Sequence, residues 1–320
     1  MMSMDFGKLA EELKVADPHY YLNVPAMLER MRRVIRSQVQ KRGGLALSLF
    51  EKGYSAWRRS HDGRARLFDR VSGALARFFV FPKIRKQLGT NLRALICGSA
   101  PLAEETQLFF QMLGIPVLQV YGLTETTAIC TMDAVDHVTP GRVGPAIPGI
   151  EMKLGDGDEI LVRGPNVFPG YWNRPAATAE MIQDGWLHTG DQGEVDSQGN
   201  WRITGRLKNL IITSGGHNVS PEPIEQMILS GLPEAEQVMV MGNERKFLVV
   251  IISGNVGADR VGAVLKQVNQ QLPHYKQVRR FFAGAGLLSE ENGLVTANRK
   301  LRREMIEWRY RNDIEKLYTD

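Results

Sequence analysis

The stretch Leu92–Glu125, LRALICGSAPLAEETQLFFQMLGIPVLQVYGLTE, decides the fold class of this chain. It opens with a short apolar run that leads into Gly98-Ser99-Ala100-Pro101, which is typical of a strand entering a turn. The pattern then predicts a helix from about Glu104 to Leu113 and a second strand over Ile115–Tyr121. Because strands that alternate with helices form parallel layers, we predict an α/β fold with a parallel sheet.

Helical periodicity marks the region before this stretch. Apolar residues recur at helical spacing from about Pro25 to Lys86, and Gly43-Gly44 interrupts the run. Basic residues greatly outnumber acidic ones between Arg30 and Arg93. Such a surface can simply be solvated, or it can contact anionic lipid head groups. Nucleic acid is not expected as a partner, since no known binding motif accompanies the charge.

The region after the stretch has two parts. Residues 141–205 are rich in Gly and Pro, contain short β-like runs and predict a small β subdomain. Beyond Arg206 the chain has the pattern of a separate small α+β unit. In that unit Ser220-Pro221 is expected to begin a helix, with Ser220 as N-cap, and Gly231 is expected to end it. We therefore predict two domains, residues 1–206 and 207–320.

The bulk composition excludes several classes of protein. With 320 residues the chain is long enough for two domains, and its 43% hydrophobic and 23% charged residues are unlike those of disordered or fibrous chains. Its apolar runs, such as Phe247–Ile252, fall far short of the roughly 20 residues of a membrane-spanning helix. Cys97 and Cys130 are the two cysteines, so we expect free thiols and a cytoplasmic setting, with any membrane contact peripheral, at the inner face.

The pentapeptide Tyr121-Gly122-Leu123-Thr124-Glu125 is the strongest chemical motif. It follows a predicted strand, and open α/β sheets bind ligands at strand ends. The Tyr121 ring can stack on a purine, and Gly122 lets the backbone approach a ligand closely. Thr124 can offer its hydroxyl to a phosphate, and Glu125 can offer a carboxylate oxygen to Mg²⁺. Taken alone, the segment fits an ordinary polar turn equally well.

Two further segments carry polar groups suited to a nucleotide. Gly185–Asp191 is expected to end in a tight turn whose carboxylate can accept hydrogen bonds from the two hydroxyls of a ribose. Arg206 could bridge a ribose or a phosphate, and Lys208 falls at the change in composition, where a hinge would lie. The plainer interpretations are a surface turn and a domain linker.

Gly215-Gly216 and Lys300 complete the set of candidate residues. The two glycines permit the close backbone approach that a narrow substrate tunnel needs. Lys300, within Asn292–Arg303, could neutralise charge that develops on a carboxylate and an α-phosphate. By itself, that segment is also typical of a basic, solvated stretch.

In this order and at these separations, the segments resemble the adenylate-forming superfamily of acyl-CoA synthetases, nonribosomal adenylation domains and luciferases. Gly98–Leu102 is similar to the family's adenine-binding turn. Asn23–Glu29, the long helical insertion after it, and Leu294–Arg303 resemble the long-chain fatty acyl-CoA synthetase branch. The resemblance covers about Asp17 to Leu317. It implies the remainder of a large adenylate-forming domain, with mixed sheets, helices and a small β subdomain, followed by a small, mobile α+β domain.

The resemblance implies a ligase that uses ATP, Mg²⁺ and coenzyme A. A fatty acid would be joined to AMP with loss of pyrophosphate, and the thiol of coenzyme A would then displace AMP. Each candidate residue receives a role by this resemblance. Tyr121 would stack on adenine, in a nucleotide site that includes Gly98, Ser99, Ala100, Pro101 and Gly122. Asp191 and Arg206 would bind the ribose, Thr124 would bind a phosphate, and Glu125 would bind Mg²⁺. Lys300 would act in adenylation, Lys208 would be the hinge, and Gly215 and Gly216 would line the pantetheine path.

Some positions depart from the family pattern. Many relatives have Asp at the position of Lys208, and neither His217 nor Asn298 is the residue expected in its loop. Because His217 would lie near the thiol path, a ligase that loads acyl carrier protein stays an alternative. Residues 1–90 contain no counterpart of the family's Ser/Thr/Gly-rich phosphate loop. We therefore expect the C-terminal half of such an enzyme, inactive alone, with a non-catalytic fragment or binding module as the alternative of a different class.

Overall fold

The computed structural model describes residues 15–296 and 300–319, and the chain forms two compact units. One unit comprises the described residues up to Lys153 together with Leu161–His188 and Val195–Arg202. The other comprises Leu154–Ile160, Thr189–Glu194 and the described residues from Ile203 onward. Within the described ranges, no helix is both long enough and apolar enough to cross a membrane.

Helices dominate the beginning of the first unit. Strand β1 (Tyr20–Asn23) is followed by helices α1 (Pro25–Arg42), α2 (Gly44–His61), α3 (Leu67–Phe79) and α4 (Phe81–Leu88). Gly43, at φ +58°, separates α1 from α2, so the predicted break is confirmed.

Helices α2 and α3 approach each other through small residues. A Cβ atom on Gly53 of α2 would lie 2.2 Å from the Cβ atom of Ala76 on α3, so only glycine fits there. Since the small residues of α3 face α2, its large apolar side chains point outward. These residues form what we call the α3 outer face: Leu67, Phe68, Val71, Leu75, Phe78 and Phe79, all exposed.

The first unit contains a mostly parallel sheet. Strand β2 (Ala94–Cys97), helix α5 (Glu104–Met112) and strand β3 (Val117–Tyr121) follow one another, and β4 (Thr131–Met132) lies antiparallel to β3. The order in the sheet is β1-β2-β3-β4, with β1, β2 and β3 parallel. The predicted strand–helix–strand alternation and parallel pairing are therefore confirmed.

Both cysteines are buried and free. Cys97 is 2% exposed at the end of β2, and Cys130 is 0% exposed just before β4. Burial raises the pKa of the Cys97 thiol to about 12 and also raises that of Cys130. The predicted free thiols are confirmed.

A five-stranded sheet follows, as the predicted β subdomain requires. Its elements are β5 (Glu151–Leu154), β6 (Glu159–Arg163), helix α6 (Pro175–Met181), β7 (Ile182–Gln183), β8 (Trp186–Val195) and β9 (Trp201–Arg206). The strand order is β5-β6-β8-β7, and β9 also pairs with β8. Two of the candidate residues, Asp191 and Arg206, lie on the paired strands β8 and β9.

The chain after β9 has the predicted α+β composition. Its elements are the pair β10 (Ile211–Ile212) and β11 (Asn218–Val219), helix α7 (Pro221–Gly231), β12 (Ala235–Met241), β13 (Leu248–Gly254), α8 (Ala258–Asn269), β14 (Val278–Gly284), α9 (Arg303–Arg309) and α10 (Arg311–Thr319). The sheet order is β12-β13-β14. Every residue of the central strand β13 is buried, because apolar side chains cover the sheet on both faces.

The two faces of this sheet are covered by different parts of the chain. Helices α7 and α8 pack on one face, against Val238 and Val240 of β12. The other face carries Met239 and Met241, and residues between 288 and 318 cover it, including Leu294 and Ile306. The segment that contains Lys300 is thus anchored in the core at both ends.

One of the two local predictions about α7 needs correction. Ser220 precedes the first helical residue as predicted, but its hydroxyl makes no cap bond and donates instead to Oε1 of Gln192 at 3.1 Å. Gly231 is the last residue of the helix, so the predicted end is confirmed. A Cβ atom on Gly231 would lie 2.6 Å from Cγ1 of Val264 on α8, so close helix packing explains this glycine.

Candidate active site

The turn after β2 exposes the backbone of the first candidate segment. Gly98 is buried, and a Cβ atom there would lie 2.7 Å from Cγ2 of Val120 on β3. Ser99 has φ +75°, in the left-handed region that side chains rarely adopt. Ser99, Ala100 and Pro101 are all exposed, so the carboxyl end of β2 presents an open, sharply bent turn.

The turn after β3 is closed by its own hydrogen bonds. The N–H of Leu123 donates to Oγ1 of Thr126 at 2.8 Å, and the Thr126 hydroxyl donates to the Leu123 carbonyl at 3.1 Å. A Cβ atom on Gly122 would lie 2.1 Å from the carbonyl oxygen of Ala128, so no other residue fits at this position. The predicted close approach at Gly122 is therefore to the protein's own backbone.

The three side chains of this motif differ in exposure. Tyr121 is 8% exposed at the end of β3. Thr124 is exposed, and Glu125 is half-buried, both in a single helical turn over Thr124–Thr126. Thr124 and Glu125 thus reach the surface next to the strand end, whereas most of the Tyr121 ring is enclosed.

Glu125 is held by a residue that the sequence analysis missed. The hydroxyl of Tyr171 donates to Oε1 of Glu125 at 2.7 Å, and the N–H of Phe168 donates to the Glu125 carbonyl at 2.8 Å. The hydrogen bond to Glu125 raises the pKa of the Tyr171 hydroxyl to about 12. A carboxylate has lone pairs on two oxygens, so Glu125 can accept this bond and still ligate a cation.

Asn166, which is distant in the sequence, stabilises the same turn through hydrogen bonds. Its Nδ2 donates to the carbonyls of Thr126 at 3.2 Å and Ile129 at 2.9 Å. The backbone carbonyl of Asn166 accepts a hydrogen bond from the hydroxyl of Thr127 at 2.8 Å. Because Thr127 has φ +49°, these bonds hold the backbone in a conformation that a flexible loop would not keep.

Asp191 and Arg206 lie together on neighbouring strands. Nε of Arg206 lies 2.8 Å from Oδ1 of Asp191, whose side chain is 4% exposed against 39% for Arg206. The N–H of Asp191 donates to Oγ1 of Thr189 at 3.1 Å. The predicted tight Gly-Asp turn is wrong, because both residues lie inside the ten-residue strand β8, where only Gly190 has a positive φ, +68°.

The hinge and tunnel candidates occupy exposed turns of the second unit. Lys208 is exposed in a helical turn over Leu207–Asn209, directly after β9. Gly215 and Gly216 are exposed between β10 and β11, and Gly216 has φ +75°. The His217 ring stacks on Tyr275 with ring centres 4.4 Å apart.

Lys300 is exposed beside a backbone pair. The N–H of Thr296 donates to the Lys300 carbonyl at 2.9 Å, and the N–H of Lys300 donates to Oγ1 of Thr296 at 3.0 Å. Asn298, the unexpected residue of this segment, lies outside the described residues. Within the described part of the chain, no three His, Cys, Asp or Glu side chains cluster as a metal site would require.

Comparisons with sequence models and with known proteins find matches along most of the chain. The sequence model described as AMP-binding enzyme matches residues 2–172, and that described as AMP-binding enzyme C-terminal domain matches residues 208–320. The long-chain-fatty-acid–CoA ligase FadD15 of Mycobacterium bovis is 30% identical over 343 aligned positions, which cover 98% of this chain and 57% of the relative. The long-chain-fatty-acid–CoA ligase ACSBG2 of Rattus norvegicus is 31% identical, over 85% of this chain and 42% of the relative.

Solved structures share the fold. The adenylation domain of a carboxylate reductase from Mycobacterium chelonae has a TM-score of 0.71 at 22% identity and covers 100% of this chain, which spans 50% of that domain. The O-succinylbenzoate coenzyme A synthetase of Bacillus subtilis, in complex with AMP, has a TM-score of 0.66 at 23% identity, over 94% of this chain and 53% of that one. These likenesses confirm the predicted mixed α/β fold. The chain, which spans little more than half the length of the curated relatives it matches, belongs to the family of AMP-binding enzymes.

Proposed function

We propose that the chain serves the ATP-dependent activation of a long-chain fatty acid, through an acyl-adenylate, and its transfer to coenzyme A. The observation that carries this proposal is the fixed carboxylate of Glu125 at the end of a parallel strand. Tyr171 and the Thr126–Asn166 bonds hold that carboxylate and its turn in place. The curated relatives, named as long-chain-fatty-acid–CoA ligases, support the same chemistry.

We assign the nucleotide to two sets of residues. Gly98–Pro101 would offer backbone at the end of β2, Tyr121 would contribute its ring to adenine, and Thr124 would contribute a hydroxyl to a phosphate. Asp191 would accept hydrogen bonds from the ribose hydroxyls, and Arg206 holds the Asp191 carboxylate while still offering N–H donors. Lys300 would supply positive charge during adenylation.

Glu125 suits Mg²⁺ by its chemistry. Mg²⁺ prefers oxygen ligands and is usually bound through one or two carboxylates plus the phosphates of the substrate. A single well-held carboxylate fits that pattern. Bound there with ATP, the ion would neutralise charge on the phosphates.

The second half-reaction requires a different arrangement of the chain. We propose Lys208 as the hinge, with residues 1–206 and 207–320 as the two domains. The exposed turn that holds Lys208, and the family match that begins at residue 208, support this boundary. Gly215 and Gly216, which carry no side chain, would then line the path of the pantetheine thiol.

Binding of an acyl-adenylate analogue tests the nucleotide assignment. We expect the chain to bind palmitoyl-sulfamoyl-adenosine, and Asp191→Asn to weaken that binding at least tenfold, since a hydrogen bond to a charged group contributes about 1.5–3 kcal/mol. Asp196→Asn is the matched control, because Asp196 also pairs with an arginine, Arg142. Equal affinity for Asp191→Asn and Asp196→Asn would remove Asp191 from the site.

Catalysis by the chain alone is a separate question. Residues 1–90 contain no phosphate loop, so the triphosphate would be neither oriented nor neutralised, and a misplacement of about 1 Å can cost roughly 10² in rate. We expect no fatty acid-dependent ATP–pyrophosphate exchange from residues 1–320 alone. Exchange should appear when the N-terminal part of a curated relative is joined to the chain. Robust exchange without that part would show that another segment replaces the loop.

The thiol acceptor is tested directly. Supplied with preformed palmitoyl-adenylate, the joined enzyme should consume it with coenzyme A and not with holo-acyl carrier protein. The reverse preference would favour the carrier-protein ligase, to which the His217 departure points. Failure with both acceptors, in an enzyme that binds the analogue, would favour the non-catalytic alternative.

A cytoplasmic location with peripheral contact to an anionic membrane is the remaining part of the proposal. The α3 outer face is apolar, and Arg64, Arg66, Arg70 and Arg77 lie beside or within that helix, all exposed. Apolar side chains rimmed by arginine are typical of helices that lie in a lipid interface.

Vesicle binding tests this contact. Binding should be stronger to anionic than to neutral vesicles, should fall with salt, and should be lost in Phe68→Ser/Phe78→Ser. Ile212→Ser, which changes an exposed apolar residue elsewhere, should leave binding intact. Indifference to lipid charge would rule the membrane out as the partner of this face.

A further inference from the structure

A buried ion pair lies next to the Lys300 segment. Nη2 of Arg303 donates to Oε2 of Glu225 at 2.6 Å, and the two side chains are only 18% and 9% exposed. Glu225 lies on α7, and Arg303 is the first residue of α9. The pair therefore joins two elements that are far apart in the sequence.

The same pair closes the outer edge of strand β12. Oε1 of Glu225 accepts a bond from the N–H of Val240 at 2.7 Å, and Nη1 of Arg303 donates to the Val240 carbonyl at 3.4 Å. Each side chain thus satisfies a backbone group that a neighbouring strand would otherwise bind. Arg303 has a defined place on the sheet, at the level of Val240.

Stability alone is a poor reason for such a pair. Burial raises the pKa of the Glu225 carboxyl, while the charge of Arg303 opposes that rise. Taking two charges out of water costs about as much as their attraction returns, so buried pairs are better suited to specifying geometry than to adding stability.

The geometry that the pair can specify is that of Lys300, three residues earlier. Leu294 and Val295 are buried, Val295 bridges to Leu301, and the N–H of Arg302 donates to the Leu294 carbonyl at 2.9 Å. These contacts tie the two ends of the segment to each other. Arg303 ties the segment to α7 and β12.

We propose that Arg303, held by Glu225, is a positioning residue that fixes the position of Lys300 relative to the edge of β12. Its importance for catalysis rests on the proposed role of Lys300 in adenylation. Without the pair, the segment loses its attachment at the edge of β12, and its internal bridge opens more often. Lys300 then samples a wider range of positions.

Hydrogen–deuterium exchange on the 320-residue chain tests the positioning. Because Arg303→Met alone would strand a buried carboxylate, the variant is Glu225→Gln/Arg303→Met, which removes both charges and keeps an acceptor for Val240. Exchange over residues 294–302 should rise at least tenfold while α7 and β12 keep their protection. The single variant Arg303→Lys, which keeps a positive charge, should keep part of the protection of residues 294–302. The control is Arg302→Met, which alters an exposed neighbour.

A second measurement links the pair to Lys300. Arg303→Met, where folded, and the double variant should weaken binding of palmitoyl-sulfamoyl-adenosine by roughly the factor of Lys300→Ala, about tenfold. Adding Lys300→Ala to the double variant should then cost little more, because both changes remove the same contact.

The outcomes separate the two proposals. Unchanged exchange at 294–302, or a uniform loss across α7 and β12, would overturn the positioning role. Additive losses with Lys300→Ala would overturn it as well. If the unaltered chain binds no analogue, the proposed function fails, and the exchange pattern still decides whether Arg303 positions Lys300.

Discussion

Replacing Glu125 by Gln removes the charge that faces the Tyr171 hydroxyl. The bond between them, at 2.7 Å, raises the Tyr171 pKa from 10.0 to about 12. That difference corresponds to ~2.7 kcal/mol between the two protonation states. Because water reaches this partly exposed side chain, we expect a smaller net contribution to stability, about 1 kcal/mol. In Glu125→Gln the Tyr171 pKa should fall toward 10 by at least about one unit, since Gln can accept the bond but carries no charge.

The assay is a pH titration of tyrosine labelled with ¹³C at Cζ, followed by nuclear magnetic resonance. Tyr54, whose pKa is raised by burial and not by Glu125, is the internal control and should be unchanged in Glu125→Gln. Since the folded pKa of Tyr171 is raised, the stability from this bond is complete below about pH 10 and is lost as the pH rises through about 12. An identical Tyr171 titration in both proteins would refute the contact. Tyr171→Phe should also raise the Mg²⁺ concentration needed for nucleotide binding about fivefold, the equivalent of ~1 kcal/mol.

Four further predictions test other parts of the chain. In the joined enzyme, Lys300→Ala should slow acyl-adenylate formation by roughly 10²–10³ and leave transfer from preformed adenylate near normal; equal loss in both half-reactions, measured separately, would remove this role. Lys208→Pro should spare adenylation and stop thioester formation, because Pro fixes φ near −65°; a normal second step would place the hinge elsewhere. Gly231→Ala should lower the free energy of unfolding by about 1–3 kcal/mol through overpacking on Val264, whereas Gly262→Ala, with open space around it, should not in the same denaturant titration. Burial raises the Asp133 pKa to about 6, so the contribution of Asp133 to the free energy of unfolding, measured as the difference from Asp133→Asn, should fall as pH rises from about 4 to 6; a difference that does not change with pH would contradict that shift.

The sequence predicted those elements whose signal is local. Ala94–Cys97 and Val117–Tyr121 are short apolar runs that end in turn residues, and the structure has strands there. The helical break at Gly43 is equally local. The fold class followed because these signals agreed with one another.

Contacts between distant residues were not predictable in this way. Tyr171 lies 46 residues after Glu125, and no spacing rule connects a tyrosine to a carboxylate across that distance. The Gly190-Asp191 pair resembles a surface turn by itself, but pairing with neighbouring strands extends β8 through it. Tertiary pairing overrode the local turn preference at that position.

The segment around Lys300 shows the same limit. Asn292–Arg303 has the composition of a solvated basic stretch, yet Leu294 and Val295 are buried and Arg303 forms an ion pair with Glu225. The unbroken apolar run of strand β13 indicated that some part of the chain must cover each face of its sheet. The run does not say which part of the chain provides the second cover.

The burial of both thiols makes the chain a convenient host for spectroscopic probes. Maleimides react with thiolates that they can reach, and Cys97 and Cys130 are enclosed, with thiol pKa values raised by burial. A dye would therefore label a cysteine introduced at an exposed position, and the two native cysteines would not have to be replaced. Two such positions, Ser214 beside Gly215 and Gln183 on β7, would report by energy transfer on any rotation about Lys208 as nucleotide and thiol are added in turn.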